Sequence, residues 1–468
     1  MHHRESNPKK EDKTLTTRVI IVRHGKSSYN LERRIQGRLD ASVLTEQGQA
    51  TAQLVAQALL GITFDAIYSS PLQRAKETAK VILSNLESEA QHPSLQTSEN
   101  LMEIDLPLWA GMQRDVVKEK FSDDYKCWQE HPDQFCMTVA ENTGPREHFP
   151  VLAIYEQAKN FWKETLPKHS GKTILIVAHN GINRALISTA AGIPPAYYHS
   201  IQQSNCGISV LNFPDNWTPD KKTSGSVQLE SMNITTHVGE KFPNPREGHQ
   251  GIRLLLIRHG ETEWNRQSKF QGQIDVPLND NGRSQAKKAS DFLEDVQLDF
   301  AITSPMLRPK ETAENIIKFH PQLQLELYDG LREISHGLWE GKFENEIEHS
   351  FPGLLEKWKT TPETVQMPEG ENLQQVWERV AQTWQTIIEN IKPGSTGIVV
   401  AHDATNKAIL CQLFNLSPEH FWKFKQGNGA VTVIDYPKGP KEKPVLQALN
   451  ITSHLSGSIL DKTAAGAL

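Results

Sequence analysis

Leu254-Leu255-Leu256-Ile257-Arg258-His259-Gly260 repeats a pattern already present at Val19-Ile20-Ile21-Val22-Arg23-His24-Gly25. Each is a short, wholly apolar run rich in branched residues, closed by a cation, an imidazole and a glycine. Runs of this length and composition predict strands buried on both faces, as in a parallel sheet covered by helices on each side. The Arg, His and Gly then stand where a buried strand ends, and in open parallel sheets ligands bind beyond the carboxyl ends of the strands. A guanidinium beside an imidazole beside a residue without a side chain suits an anion, and phosphate is the first candidate.

The repetition extends along the whole chain. "SSPLQRAKETA" around Arg74 returns as "TSPMLRPKETA" around Arg308, and "LMEIDLPLWAG" around Glu103 as "LREISHGLWEG" around Glu333. "ILIVAHNGINRALI" around His179 returns as "GIVVAHDATNKAIL" around His402, and "SMNITTHVG" as "ALNITSHLSG". Four motifs and a closing segment in one order describe two tandem copies of one domain, not a solenoid. Within a copy, strand-like stretches such as Ala66-Ile67-Tyr68 and Ile174 to Ala178 alternate with helix-like ones such as "VLTEQGQATAQLVAQALLG". That order predicts the α/β class: a mostly parallel sheet between two helical layers in each copy. The expected boundaries are a polar N-terminal extension at 1–17, a first domain at 18–239, a linker at 240–251, a second domain at 252–455 and a C-terminal tail at 456–468, for which the sequence suggests no role.

At 468 residues the chain exceeds one ordinary core, and 37% hydrophobic with 23% charged residues reads as a soluble globular protein. The net charge of −6 and the lack of a dense basic stripe argue against nucleic acid as a partner. No apolar run approaches a membrane span, and Met1 to Thr17 lacks the apolar core of a secretory signal. Cys127, Cys136, Cys206 and Cys411 show no CxxC spacing, so neither a zinc site nor a disulfide framework is expected. These features point to a reduced, cytoplasmic-type compartment, with the plastid stroma as the counterpart in a plant.

Each copy therefore offers two histidines and two arginines close to strand ends, with a glutamate in a loop. A neutral imidazole nitrogen can attack phosphorus and divide one hard displacement into two easier ones through a phosphohistidine. Arginine suits the charge on the transferring group because its fork matches phosphate oxygens and stays protonated. The departing alcohol needs a proton, which a carboxyl held neutral by its surroundings can give. This chemistry calls for neither a metal nor another cofactor. Singly, each residue is more simply read as a satisfied rim or surface group; their recurrence in matching order, twice, favours joint function. Tyr68 and Trp339 read as core or lip packing, and Gln36-Gly37 and Gln271-Gly272 as turns.

The set "RHG" after a strand, "SPLxRAxxTA", "LxEI…G" and "AHxG" resembles the histidine phosphatase superfamily, also called phosphoglycerate-mutase-like, over nearly the whole chain. The resemblance implies a three-layer αβα domain of that kind in each half and a small phosphate ester as the ligand. It implies that His24 and His259 are phosphate-accepting nucleophiles. It places Arg23, Asn30, Arg74 and His179, and likewise Arg258, Asn265, Arg308 and His402, around the phosphate, with Glu103 and Glu333 in acid–base roles. Gln36, Gly37, Gln271 and Gly272 fall at substrate contacts. The copies diverge at Lys26 against Glu261, Ala110 against Glu340, and Asn180-Gly181 against Asp403-Ala404. Glu261 is the more usual residue of the family, neither copy lacks a core catalytic residue, and the second is slightly favoured as the working one; an acidic Asp403 beside a phosphate is unfavourable unless it points away.

A mutase of this family shields its phosphohistidine and holds the substrate carboxylate with paired arginines in an inserted segment. No Arg-Arg pair lies between Glu103 and His179 or between Glu333 and His402, which favours hydrolysis over phosphoglycerate isomerisation. The tandem layout, with "EIDLPLWAGM", "YKCWQEHPDQF" and "NGINRALISTAAGI", is similar to plant members that dephosphorylate a carboxylated sugar phosphate, an inhibitor of Rubisco. That similarity implies a phosphorylated sugar acid, with Arg114, Lys118, Lys126 or Arg146 available for its carboxylate. The alternatives are an isomerase and a module that binds phosphorylated ligands without turnover. Oligomeric state stays open, with an internal pseudo-dimer as one arrangement.

Overall fold

Val19 and Ile21 point into one apolar layer and Ile20 and Val22 into another, which is why the first run is continuous where a half-exposed strand would alternate. The same division recurs at Leu254 and Leu256 against Leu255 and Ile257. In the computed structural model, which describes residues 16–86, 92–141, 144–215, 217–219 and 226–464, these runs are the central strands of two similar halves. The first half contains β1 (Thr16–Arg23), β2 (Ala66–Ser69), β3 (Leu95–Thr97), β4 (Met137–Glu141), β5 (Gly144–His148), β6 (Thr173–Ala178), β7 (Ile208–Pro214) and β8 (Gln228–Ile234). The second contains β9 (Ile252–Arg258), β10 (Phe300–Thr303), β11 (Leu325–Leu327), β12 (Thr396–Ala401), β13 (Val431–Tyr436) and β14 (Val445–Ile451). Strands β4 and β5 form a separate hairpin found only in the first half.

The remaining strands form one twelve-stranded sheet, in the order β11-β10-β12-β9-β13-β14-β8-β7-β1-β6-β2-β3. Within each half the four strands nearest the outer edge run parallel and the two nearest the centre antiparallel. The halves meet where β8 pairs antiparallel with β14, Met232 opposite Leu449. On one face the helices Pro150–Thr165, Asn180–Ala191, Leu373–Asn390 and Asp403–Gln412 share a single core that runs under both halves. On the other face the cores are separate: Glu46–Ala58 and Gln73–Asn85 cover the first, Asp280–Leu293 and Leu307–Ile316 the second.

The junction is cross-braced. Asn233 and Asn450, from the repeated "NIT", take φ of 53° and 56°, a left-handed conformation that asparagine tolerates better than most residues. Asn233 Nδ2 donates to the Gln447 carbonyl (2.7 Å) and its Oδ1 accepts from Ser204 N (2.6 Å). Asn450 Nδ2 donates to the Glu230 carbonyl (2.8 Å) and its Oδ1 accepts from Gly427 N (2.7 Å). Gln202 N bonds the Leu446 carbonyl and Lys425 N the Leu229 carbonyl, so the 201–207 and 424–430 loops each lean on the last strand of the other half.

The segment read as a linker is packed. Phe242 joins the second half's core, and Arg246 donates to Gln202 Oε1 and the Ile201 carbonyl (3.0 Å each). The tail crosses back the other way: Ile459 and Leu460 pack into the first half's separate core, and Asp461 accepts from Asn450 Nδ2 (3.1 Å). Asn450→Ala loses both the left-handed tolerance and two buried hydrogen bonds and is expected to cost about 3 kcal/mol, read from the urea midpoint, whereas Asn450→Gly keeps the backbone freedom and costs about half of that. Equal losses in the two variants would show that the positive φ carries no strain.

Candidate active site

β1 pairs with β6 so that Arg23 lies opposite Ala178, and β9 with β12 so that Arg258 lies opposite Ala401. The next residue of each strand is a histidine. In each half the two imidazoles therefore emerge side by side, with ring centres 5.1 Å apart for His24 and His179 and 5.2 Å for His259 and His402. His24 Nδ1 donates to the Gly25 carbonyl and His259 Nδ1 to the Gly260 carbonyl, both at 2.7 Å. That bond fixes the proton on Nδ1 and leaves Nε2 unprotonated, its lone pair directed at the site in both halves and accepting from Arg308 Nε in the second. Burial, with Arg23 and Arg74, holds His24 well below its ordinary pKa; burial, with Arg308 and Arg258, does the same for His259. His179 and His402 are driven down by burial in the same way. All four are neutral at neutral pH.

The glycine after each nucleophile has a steric reason. A side chain on Gly25 would run into the Gly48 carbonyl, and one on Gly260 into that of Gly282. Helix Gln73–Asn85 brings in Arg74 and helix Leu307–Ile316 brings in Arg308, both fully buried. Arg74 donates to the carbonyls of Gly37 (3.0 Å) and Leu39 (2.9 Å), and Arg308 to those of Gly272 (2.8 Å) and Ile274 (3.4 Å). Through these bonds the Gln-Gly turns aim the arginines; it is the glycine carbonyl that acts. Arg308 Nε points at His259 Nε2 (3.2 Å). Among the described residues, Arg23, Arg74 and Arg258 each keep a buried Nε without a hydrogen-bond partner, and His179 has none on either nitrogen. Burial lowers Arg23 and Arg308 to about 10, so both stay charged. Unpaired buried N–H groups around a free imidazole lone pair form a cradle that an anion would complete.

Asn30 and Asn265 cap short helices, their Oδ1 accepting from Ser27 N and Thr262 N (3.1 Å each). Gln36 and Gln271 accept from the Ser27 and Thr262 hydroxyls. The second site is the more enclosed: Asn265 and Gln271 are buried where Asn30 and Gln36 are half-buried. Glu340 contributes to that difference, its carboxylate accepting from Gln273 N, Ile274 N and His336 N, and Ala110 offers no such anchor in the first half.

Glu103 Oε1 accepts from Ile104 N (2.8 Å) and Ile182 N (3.2 Å), at the start of the helix that follows His179. Glu333 is held alike, by Ile334 N, Ala404 N and Thr405 N, and is 2% exposed. Burial, reinforced by Asp403, raises the Glu333 carboxyl above its ordinary value against the pull of Arg308. Asp403 does not point away: it pairs with Lys407 (2.6 Å) and stands 3.5 Å from Arg258.

Arg114 is 47% exposed and pairs with Glu247 of the interdomain segment, and Lys118 pairs with Asp115, so these two of the cations read from the first half's insert are surface groups. Three groups of residues escaped the motif reading. Asn205 and Asn428 donate to the His24 and His259 carbonyls (2.9 and 3.1 Å) and reach Asn30 and Asn265. Gln203 and Gln426 accept from Arg23 and Arg258 through their carbonyls. Arg184 and Lys407 lie on the helices after the second histidines. The signal for the loops was the repeated "QSNCG" and "QGNGA", too short to stand out beside the four longer motifs. Among the described residues no group of three or more His, Cys, Asp or Glu is arranged to hold a metal ion, and no helix is long and apolar enough to cross a membrane.

The family profile of the histidine phosphatase superfamily (branch 1) matches residues 19–220 and 254–452. The chain belongs to that superfamily. It is a phosphatase of the α/β, phosphoglycerate-mutase-like fold. It is 31% identical over 453 residues to the "Probable 2-carboxy-D-arabinitol-1-phosphatase" of Arabidopsis thaliana, covering 94% of this chain and 88% of the relative. It is 30% identical over 456 residues to the 2-carboxy-D-arabinitol-1-phosphatase of Triticum aestivum, covering 94% and 86%. A single half is similar to the solved alpha-ribazole phosphatase of Shigella flexneri, at 26% identity and a TM-score of 0.39 over 42% of this chain and 96% of that one.

Glu333→Gln tests the burial of that acid. A carboxyl whose pKa is raised on folding loses stability as the pH climbs from the ordinary glutamate range through the raised value. The neutral amide escapes that loss, so the melting temperature of the variant is expected to exceed the parent's by a few degrees at pH 7, with the gain vanishing near pH 4. A gain of the same size at both pH values would refute the raised pKa.

Proposed function

We propose that both pockets hydrolyse small phosphate monoesters through a phosphohistidine, and that a phosphorylated sugar acid of the 2-carboxy-D-arabinitol 1-phosphate type is the substrate. The observation that carries this reading is the duplicated nucleophile geometry, in which Nδ1 is tied to a backbone carbonyl and Nε2 faces buried N–H donors. The substrate class rests on similarity to the wheat and Arabidopsis proteins over nearly the whole chain.

In the first pocket, His24 Nε2 attacks phosphorus as the bond to the sugar oxygen breaks. Arg23, Arg74 and His179 hold the equatorial oxygens where charge accumulates. Glu103 protonates the departing alkoxide, then takes a proton from the water that attacks the phosphohistidine, releasing inorganic phosphate and restoring the imidazole. In the second pocket His259, Arg258, Arg308, His402 and Glu333 take the same parts. A raised carboxyl in Glu333 suits the proton-donating step.

The test is phosphate release by the parent chain, His24→Ala, His259→Ala and the double variant, over a panel that includes 2-carboxy-D-arabinitol 1-phosphate. Each single variant is expected to keep the activity of the other pocket, while the double variant falls by at least about 10³-fold. Quenching in base should trap a phosphoenzyme that acid destroys, as a phosphohistidine requires. Interconversion of 3-phosphoglycerate and 2-phosphoglycerate without phosphate release would make the protein an isomerase, and binding without either reaction a sensor.

A further inference from the structure

The two pockets share their reacting groups and differ in what stands beside them. In the first half Arg184 is 7% exposed, its Nη1 donates to His199 Nδ1 (3.3 Å), and its guanidinium lies 5.4 Å from the centre of the Tyr198 ring. His199 can only accept at that atom, because its Nε2 donates to the Trp128 carbonyl (2.8 Å) and burial, with Arg184 and Arg246, keeps the ring neutral. Among the described residues Arg184 Nε has no hydrogen-bond partner, and the side chain has no directly paired carboxylate. Tyr198, under the guanidinium, and Glu103 both crowd the space beside Gly181, which puts Arg184 next to the phosphate cradle, where its charge lowers Arg23. Gly181 keeps the way open: a side chain there would collide with Glu103 Oε1 and Tyr198 Oη.

Arg184, Gly181, Tyr198 and His199 are all changed in the second half. Lys407 replaces Arg184 and is neutralised by Asp403, which stands for Asn180. Phe421 and Trp422 replace Tyr198 and His199 and roof the ammonium at 4.9 and 4.7 Å. Ala404 puts a methyl where Gly181 has none. Trp422 nonetheless donates to the Trp358 carbonyl as His199 does to that of Trp128, so the scaffold is retained while the chemistry is exchanged.

We propose that Arg184 and Tyr198 form a carboxylate- and hydroxyl-binding subsite in the first pocket, and that Asp403, Lys407, Phe421 and Trp422 close the same position in the second. A buried guanidinium without a directly paired carboxylate is unfavourable, and a ligand carboxylate relieves it with a charge-assisted hydrogen bond. Tyr198, kept un-ionised by burial, offers an O–H to the same group or to a neighbouring hydroxyl. The first pocket thus selects phosphate esters of acids, and the second accepts esters that lack the acid. This deepens, and rests on, the phosphomonoesterase reading above.

The experiment uses the full chain with one nucleophile removed at a time and two substrates of one skeleton, 3-phosphoglycerate and glycerol 3-phosphate. With His259→Ala, leaving the first pocket, kcat/KM is expected to favour 3-phosphoglycerate by about tenfold or more. Adding Arg184→Gln should erase that preference by raising KM for 3-phosphoglycerate far more than for glycerol 3-phosphate, and Arg184→Lys should restore part of it. With His24→Ala, leaving the second pocket, no preference is expected. An equal loss on both substrates, or no preference in the first pocket, overturns the proposal. Should Arg184→Gln fail to fold, Tyr198→Phe must shift the ratio in the same direction. If the parent chain hydrolyses no ester, the phosphatase reading fails by itself, and calorimetric binding of the same two compounds, with and without Arg184→Gln, still decides the subsite.

Discussion

In each half the strand ending in Arg-His-Gly lies parallel to the strand ending in Ala-His, and the register of that pairing sets where two imidazoles leave the sheet. Shifting it by one residue would turn the buried valines and leucines of both strands to the wrong layer, so the cores on the two faces enforce the register. The remaining site groups are then placed by short, local contacts. The Gly25 and Gly260 carbonyls orient the nucleophiles, the Gln-Gly turns aim Arg74 and Arg308, and the helix starts after His179 and His402 hold the glutamates. Neutral histidines and charged arginines are thereby packed together with donors to spare. That arrangement is unfavourable for the empty pocket and favourable once a doubly charged anion fills it.

Much of this was legible in the sequence because the repeat doubled every signal. His24, Arg74, Glu103 and His179 are each unremarkable alone, and their return at His259, Arg308, Glu333 and His402 in the same order exposed the constellation. The strand runs were equally plain, since burial on both faces writes an unbroken apolar string. What sequence could not reveal was what faces a residue. Arg114 offers a cation that pairs with the exposed Glu247, whereas Arg184, within an apolar helix, lies over Tyr198 and feels the charge of Glu103. Asp403 looked misplaced until its two cationic neighbours, Lys407 and Arg258, were seen. The roles of Asn233 and Asn450 depend on a junction between halves that no local pattern encodes.

The junction also explains how two copies can diverge without drifting apart. Each pocket has one wall, the loop carrying Asn205 or Asn428, that rests on the last strand of the other half. Neither half can lose its last strand without disturbing the loop beside its neighbour's nucleophile, so the shared frame is constrained. The helices after the second histidines lie off that frame, over the shared core, and there the exchange of Asn180, Gly181 and Arg184 for Asp403, Ala404 and Lys407 leaves both scaffolds intact.

Ile459 and Leu460 complete the core of the half that is synthesised first. On the ribosome, the amino-terminal half therefore waits for a segment translated after the strands of the second half before its apolar floor is sealed. The two halves mature together, not one after the other, and a ribosome that stalls between the last strand of the second half and Ile459 leaves an unfinished first half beside a nearly complete second one.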